Sequence, residues 1–305
     1  LDPIGARGTL YKDAIYQLLG RRYMSMELDL EKKLCRVEPV DVDYYTEAHW
    51  EGRIEMTERE EQKLLQGAQL DFGYIYYNKQ PKLYKKIRER SYENIGYGPI
   101  TLSAFEYDTT GFSLLPPADW EKAMEVFDKR CIGAGLHGLS YLLRHTAPSL
   151  CMAATSDIAT DVSLIEVAHQ SWKSALFMFD AVEGGVGYAE KIFEKINICL
   201  QLCFEILEKC DCSAGCPSCV PPLPPGIADD ELEALLIESN ASVECTRSLL
   251  TMLREGSIII PQIQSVALSA NQTIQAPEPD YAAIKMKEKL QRASKILKKK
   301  RERLH

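Results

Sequence analysis

Four cysteines lie within ten residues of this chain, in the spacing C-x-C-x3-C-x2-C. They are Cys210, Cys212, Cys216 and Cys219. Thiolates this close together can surround one tetrahedral ion, with Zn–S bonds of about 2.3 Å. Gly215 allows a tight turn, and Pro217-Ser218 suits the short turn between the last two cysteines. We therefore predict a structural Zn²⁺ held by all four thiolates.

Two other uses of these cysteines are disfavoured. Disulfides are typical of secreted proteins, and the sequence shows neither an apolar signal segment nor an apolar run long enough to span a membrane. A catalytic zinc keeps one position open for water, and four thiolates would fill that position. We therefore expect the metal to hold the fold of a cytoplasmic protein that has no membrane partner.

Two further cysteines, Cys199 and Cys203, lie four residues apart in an apolar helical stretch. We expect them to face a core as small hydrophobic side chains, with a role as alternative metal ligands left open.

Charge is unevenly distributed along the 305 residues. The net charge of −8 by itself argues against a nucleic-acid binder. From Lys285 to Arg303, however, ten Lys or Arg stand against two Glu. A basic arm on an acidic body indicates either a partner such as nucleic acid or a solvated helix end.

The first part of the chain, residues 1–117, predicts a β-rich module. Short apolar runs alternate with polar turns, as in a β-meander. We expect strands at 14–19, 23–28, 34–42, 54–57, 70–78 and 103–115, with 82–91 extending the fifth of these into a hairpin.

After Pro116-Pro117 the apolar period becomes helical, which begins a second part at 118–222. Helices are expected at 120–131, 136–143 and 189–209, and a buried strand at 175–179. A proline-rich segment then opens a third part, 223–305, with helices expected at 229–238, 242–255 and 280–304. The predicted fold class is α+β: a β-rich module, a mostly α-helical zinc-binding domain and a helical, basic tail.

The stretch from Asp180 to Gly187 is a candidate phosphate site. A strand, a loop with Gly184, Gly185 and Gly187, and a helix N-terminus can cradle a phosphate through backbone N–H groups. No Lys-Ser or Lys-Thr follows, so this is not a nucleotide P-loop. We favour a strained turn that lets the next helix pack on the strand, with contact to a DNA phosphate as the alternative.

Carboxylates and histidines offer weaker candidates for catalysis. Four carboxylates could hold Mg²⁺ for a nuclease, but they show no fixed spacing. They are Asp157, Asp161, Asp180 and Glu183. Three histidines could act as ligands or bases, and the first is expected in the core. They are His137, His145 and His169.

A basic run between residues 79 and 90 is interleaved with tyrosines. Its cations are Lys79, Lys82, Lys85, Lys86, Arg88 and Arg90. The tyrosines are Tyr77, Tyr84 and Tyr92. Cations suit the phosphates of single-stranded DNA and aromatic rings suit base stacking, which makes this run a candidate DNA contact. A solvated hairpin edge is an equal alternative, because edge strands often carry Lys against aggregation.

Three segments together resemble one helicase family. They are the cysteine cluster, the Asp-x3-Gly-Gly-x-Gly stretch from Asp180 to Gly187, and Val37–Thr46. The chain is similar, over roughly residues 5–222, to the C-terminal half of superfamily-two DNA helicases of the mitomycin repair factor A type. The resemblance implies a zinc-binding domain that follows a motor, with Cys210, Cys212, Cys216 and Cys219 as ligands.

The family's ATP-binding motor has no counterpart in this sequence, which contains neither G-x4-G-K-[ST] nor an Asp-Glu-x-His box. ATP would therefore act only through a motor outside this chain, and we expect the chain to be part of a longer protein. The resemblance implies a nucleoid-associated module that guides or clamps single-stranded DNA for a helicase motor in cis or in trans, in DNA repair.

Two alternatives stay open. One is a stand-alone zinc-binding scaffold that partners a separate helicase in phage defence. The other is a metal-dependent nuclease built on the carboxylates named above.

Overall fold

Within residues 3–168, 171–212, 214–220 and 239–264, which a computed structural model describes, the chain forms two antiparallel sheets and seven helices. The helices are α1 (Pro3–Thr9), α2 (Ala118–Asp128), α3 (Arg130–Thr146), α4 (Pro148–Cys151), α5 (Tyr188–Glu194), α6 (Ile196–Lys209) and α7 (Ala241–Glu255). The strands are β1 (Ile15–Leu18), β2 (Arg21–Asp29), β3 (Leu34–Pro39), β4 (Tyr44–Leu65), β5 (Ala68–Arg88), β6 (Asn94–Pro99), β7 (Phe105–Leu115), β8 (Ile158–Ala168) and β9 (Ser171–Asp180). The predicted α+β class is confirmed.

The first sheet is a three-stranded meander in the order β1-β2-β3. Gly20 and Lys33 have positive φ angles of 73° and 54° in the two connecting turns. The prediction of three consecutive strands, made from short apolar runs between polar turns, is confirmed for this sheet.

The second sheet has the order β4-β5-β7-β9-β8, and β6 pairs with the far end of β5. The predicted hairpin between 70–78 and 82–91 is wrong, because both segments belong to one continuous strand, β5. Pro81 is tolerated there since β7 pairs with β5 only up to Lys79 and β6 pairs with it only from Leu83. Pro81 thus lies in the gap between β7 and β6, where the edge of β5 that faces these two strands needs no N–H donor.

Strand β8 was not predicted, and it places one of the candidate carboxylates, Asp161, on an edge strand of the sheet. Its pairing with β9 runs from Ile158 opposite Asp180 to Ala168 opposite Ser171. The sheet curls so that β8 also contacts β4. Strands from both sides of Pro116-Pro117 share this sheet, and the division at residue 117 stays a prediction.

The sheet buries a different core on each face. On one face, Leu70, Phe112 and Met178 pack against helices α2 to α7. On the other face, Ile75, Tyr77, Tyr107, Phe177 and Phe179 form a second, smaller core inside the curl. Strand alternation produces both cores, because successive residues of β5 and β9 point to opposite faces.

The helical layer differs from the prediction in its boundaries. The expected helix at 120–131 ends at Asp128, and α3 begins at Arg130 rather than at 136. The expected helix at 189–209 is broken at Lys195, whose φ of −102° and ψ of 20° separate α5 from α6. Helix α7 confirms the prediction at 242–255, and Gly135 and Gly138 let α3 approach it closely. The predicted helices at 229–238 and 280–304 lie outside the described residues.

None of the described helices is both long enough and apolar enough to cross a lipid bilayer.

Replacing Trp120 tests the helical core. Its side chain is fully buried and its indole N–H donates to Ser248 Oγ at 2.9 Å, which joins α2 to α7. Trp120→Ala should lower the free energy of unfolding by about 3–5 kcal/mol, through the cavity and the lost hydrogen bond. Urea unfolding followed by circular dichroism measures this.

The matched control is Trp172→Ala, because the Trp172 side chain is 60% exposed. We expect a change of less than about 0.5 kcal/mol there. Equal effects of the two substitutions would contradict the described core.

Candidate metal centre and nucleic-acid surface

The four clustered cysteines converge at the end of α6. One sulfur atom from each lies within 4.8 Å of the others. The Sγ–Sγ distances are 3.3 Å from Cys210 to Cys212, 3.5 Å from Cys210 to Cys216, and 3.3 Å from Cys212 to Cys219. Zn–S bonds of about 2.3 Å place sulfurs about 3.8 Å apart in a tetrahedron. The set is therefore close to the geometry that one zinc ion needs.

Backbone turns and neighbouring helices bring the sulfurs together. Gly215 has a φ of 97°, and an added Cβ there would overlap the carbonyl oxygen of Val220. The Cys219 N–H donates to the Cys216 carbonyl at 3.1 Å, which closes the Pro217-Ser218 turn. Tyr141 on α3 donates its hydroxyl to the Pro217 carbonyl at 2.7 Å, so the loop is tied to the helical layer.

The thiols differ in how readily they ionise. A hydrogen bond with Cys210, together with backbone N–H groups of Ser218 and Cys219, lowers the pKa of Cys216 to about 6. Burial raises the pKa of Cys212 and of Cys219. Of these three thiols, Cys216 loses its proton most readily, and a bound cation would supply the charge that keeps Cys212 and Cys219 ionised.

The other two helical cysteines do not join this centre. Burial raises the pKa of both Cys199 and Cys203 to about 12, which keeps them as neutral thiols. Cys203 Sγ lies 3.3 Å from Thr146 Oγ1 in the core. These positions match the expectation of small hydrophobic side chains.

The candidate phosphate cradle is filled by a carboxylate of the chain itself. Asp180 is fully buried, and its Oδ2 accepts from the N–H groups of Val186 at 2.6 Å and Gly187 at 2.8 Å. Its Oδ1 accepts from the N–H of Ala189 at 2.7 Å. An anion already sits where a phosphate would bind, so the geometry favours the strained turn.

Three glycines make that turn possible. Gly184, Gly185 and Gly187 have φ angles of 80°, 71° and 87°. A Cβ on Gly185 would overlap the side chain of Thr110 on β7, so this loop packs directly on the sheet. Contact of these glycines with DNA stays a prediction.

The remaining carboxylates do not converge on one point. Asp157 accepts from the Ala154 N–H at 2.9 Å in a turn, and Asp161 pairs with Lys79 at 3.2 Å. Glu183 is exposed on the glycine loop. In the part of the chain that the structure describes, the cysteine set is the one group of three or more potential metal ligands.

The histidines are likewise separate. His137 is exposed on α3, so its expected place in the core is wrong, because the buried face of that helix is formed by Leu136, Leu139 and Leu143. His145 is exposed and its ring centre lies 4.4 Å from that of Tyr141. His169 lies outside the described residues.

The basic run lies along the end of β5 and the turn after it, and its members differ in exposure. Strand alternation puts Lys86 and Arg88 on one face, and Lys82 lies at a bulge of β5 opposite His49 and Trp50. Lys85 is only 7% exposed. Lys79 is engaged by Asp161. Lys82, Arg88 and Arg90 are exposed to solvent.

The tyrosines near the run also divide into two groups. Tyr77 and Tyr84 are 7% and 5% exposed and belong to cores, so they cannot stack on a base. Tyr92 is 37% exposed and Tyr97 on β6 is 63% exposed. Tyr44 on β4 has the Lys86 ammonium 5.6 Å from its ring centre. The sequence pattern missed Tyr44 and Tyr97 because they come from neighbouring strands.

Comparison with known proteins connects these features to one group of helicases. Residues 139–220 match the family model described as MrfA Zn-binding domain. The chain is 31% identical over 220 residues to the uncharacterized ATP-dependent helicase YprA of Bacillus subtilis, covering 72% of this chain and 29% of YprA. It is 24% identical over 233 residues to the ATP-dependent helicase hrq1 of Schizosaccharomyces pombe, covering 72% of this chain and 22% of hrq1.

A solved structure gives the same result. The crystal structure of the DUF1998 helicase MrfA bound to DNA superposes with a TM-score of 0.53 and 29% identity, over 77% of this chain and 30% of the MrfA chain. The chain thus spans less than a third of the length of these helicases. The predicted resemblance, including the zinc-binding domain, is confirmed.

Substitution of Asp180 tests its role as an internal anion. Asp180→Ala leaves buried N–H groups at the start of α5 without an acceptor, and should cost about 3 kcal/mol of unfolding free energy. Glu183→Gln on the same loop is the control and should change it by less than about 0.5 kcal/mol. Chemical denaturation compares the two, and an Asp180→Ala protein as stable as the wild type would contradict this role.

Loss of one cysteine tests the metal centre. Cys216→Ser should reduce bound zinc below one per chain and lower the melting temperature, because metal-binding free energy contributes to folding. Calorimetry with and without a strong chelator measures the shift. Cys35→Ser, at a half-buried cysteine on β3, is the control. If the chelator leaves the melting temperature of the wild-type protein unchanged, this would argue against the metal centre.

Proposed function

Since this chain corresponds to the region of an MrfA-like helicase that carries the zinc-binding domain, we propose that it guides or clamps single-stranded DNA for an ATP-driven motor. The motor would be supplied by the same polypeptide or by a partner. The proposal includes a role in repair of damaged DNA, in the cytoplasm at the nucleoid.

The observation that carries this proposal is the exposed basic end of β5. Lys86 and Arg88 share one strand face, Lys82 is exposed at the bulge before them, and Arg90 follows in the turn after β5. Tyr97 on the adjacent β6 offers a largely exposed ring. Cations beside exposed aromatic rings suit a single strand, whose phosphates and unstacked bases are both accessible.

Zinc would stabilise the fold that binds the single strand, without taking part in a reaction. The residues that would hold it are Cys210, Cys212, Cys216 and Cys219, and a four-thiolate site supplies shape and no open coordination position. The chain's own contribution is to keep residues 214–220 folded against α3 and α7. The DNA-binding end of β5 then belongs to a sheet whose helical layer is held in one arrangement.

The geometry gives no support to the nuclease alternative. A carboxylate site for Mg²⁺ needs its oxygens within reach of one ion, and each of the candidate carboxylates other than exposed Glu183 is committed elsewhere. Asp180 in particular is a buried acceptor for backbone N–H groups.

Single-strand binding by the β5 surface can be measured directly. Lys82→Gln combined with Lys86→Gln should weaken binding of a fluorescent dT oligonucleotide. The slope of log K against log salt should become shallower by about 1.4, since each phosphate contact on a single strand contributes roughly 0.7. Fluorescence anisotropy at several salt concentrations gives both quantities.

The matched control is Lys32→Gln with Lys33→Gln, which removes two exposed cations from the β2–β3 turn. It should leave the salt slope close to that of the wild type. Wild-type binding that does not depend on salt, or equal slopes for the two double variants, would contradict the proposed surface.

A further inference from the structure

A cavity of about 730 Å³ lies between the two sheets, beside the basic end of β5. Its walls come from β2, from the segment that leads into β4, and from the end of β5 with the following turn. The lining residues are Arg22, Asp41, Val42, Asp43, Tyr44, Arg88, Glu89 and Arg90. A volume of this size is in the range of pockets that hold small organic ligands.

The wall on the β2 side is rigidly built. Arg22 donates to both carboxylate oxygens of Glu89, at 2.6 and 2.7 Å, and also to the Val42 carbonyl. The Glu89 N–H donates to the Asp43 carbonyl at 3.0 Å. This ion pair, made by one nitrogen of Arg22, joins the small sheet to the turn that follows β5, so the cavity is a feature of the fold rather than of one loop.

Two other guanidinium groups are available to a ligand. Arg88 lies 3.7 Å from Asp43 and 3.8 Å from Glu93, which is beyond normal hydrogen-bond distance. Within the described part of the chain, Arg90 has no hydrogen bond or ion pair, and it is exposed. A phosphate oxygen could therefore take up donors from both arginines without breaking a strong contact.

An aromatic ring stands next to these donors. Tyr44 pairs with Arg88 across β4 and β5, so the two side chains lie on the same face of the sheet. The Lys86 ammonium lies 5.6 Å from the Tyr44 ring centre, which places a third cation at the same spot. Stacking on the ring and pairing with the cations can thus occur together.

The cavity is lined by both acidic and basic side chains, and this combination indicates the class of ligand. A bare phosphate offers only acceptors, and Asp41 and Asp43 would repel it. A nucleotide adds a base, whose N–H groups can donate to carboxylates while its phosphate faces arginine. We propose that this cavity takes one nucleotide of a single DNA strand, with the base on Tyr44 and the phosphate against Arg88 and Arg90. This proposal rests on the single-strand binding proposed above.

Two oligonucleotides separate the contributions of base and phosphate. One is dT12 and the other is a twelve-unit strand of abasic spacers with the same phosphates. Tyr44→Leu should weaken dT12 binding about tenfold and leave the abasic strand unchanged, whereas Tyr44→Phe should bind dT12 as the wild type does. Arg88→Gln and Arg90→Gln should each weaken both strands and reduce the salt slope by about 0.7.

Arg53→Gln is the control, because Arg53 is exposed on the same strand as Tyr44 and pairs with Glu55. If wild-type protein binds dT12 but the Tyr44→Leu, Arg88→Gln and Arg90→Gln variants all behave like Arg53→Gln, the cavity does not hold a nucleotide. If the wild type does not bind dT12 at all, the proposed single-strand binding is contradicted, and the cavity proposal fails with it. Unfolding curves for each variant separate lost binding from lost folding.

Discussion

Convergence of four sulfur atoms at the end of α6 is the constraint on which the helical layer depends. Residues 210–212 and 214–220 contain a glycine in a left-handed conformation and a proline, and within these described residues there is no helix or strand. Such a segment cannot be held by a regular hydrogen-bond ladder. Its geometry instead follows from sulfurs 3.3–3.7 Å apart, which are stable as a group of thiolates only when a cation neutralises them. Cys219 and Val220 then enter the core beside α7.

The long strand β5 separates the two functional regions of the molecule. At its beginning, Leu70 and Phe72 pack against the helical layer that carries the cysteine centre. At its end, Arg88 lines the cavity between the sheets. The seventeen residues from Phe72 to Arg88 span up to about 50 Å in extended conformation. One strand therefore connects the layer that carries the cysteine cluster with the surface proposed to bind DNA, and Pro81 marks where its partner changes from β7 to β6.

Local chemistry in the sequence predicted some of these features well. Cysteine spacing alone predicted which four sulfur atoms come together, because side chains within ten residues need little tertiary information. The small meander was also predictable, since its turns are short and its strands are consecutive. The stretch from Asp180 to Gly187 was correctly interpreted as a turn. The four N–H groups that donate to Asp180, however, could be identified only from the structure.

Other features depend on contacts between distant residues. Lys85 belongs to the basic run in sequence, yet alternation places it on a buried face. Tyr77 and Tyr84 are covered by the inner core and by Tyr11, so the rings left for stacking come from β4 and β6. Strand β8 was missed because its place is set by pairing with β9 and by contact with β4, which is distant in sequence and depends on the curl of the sheet. Arg22 lies far from Arg88 in sequence, and only the junction of the two sheets reveals the cavity.

Zinc K-edge X-ray absorption on the purified protein tests the central claim most directly. We expect one zinc per chain, bound directly to four sulfur atoms at about 2.3 Å. Zinc bound to nitrogen or oxygen, or to fewer than four sulfurs, would contradict a closed four-thiolate centre at Cys210, Cys212, Cys216 and Cys219.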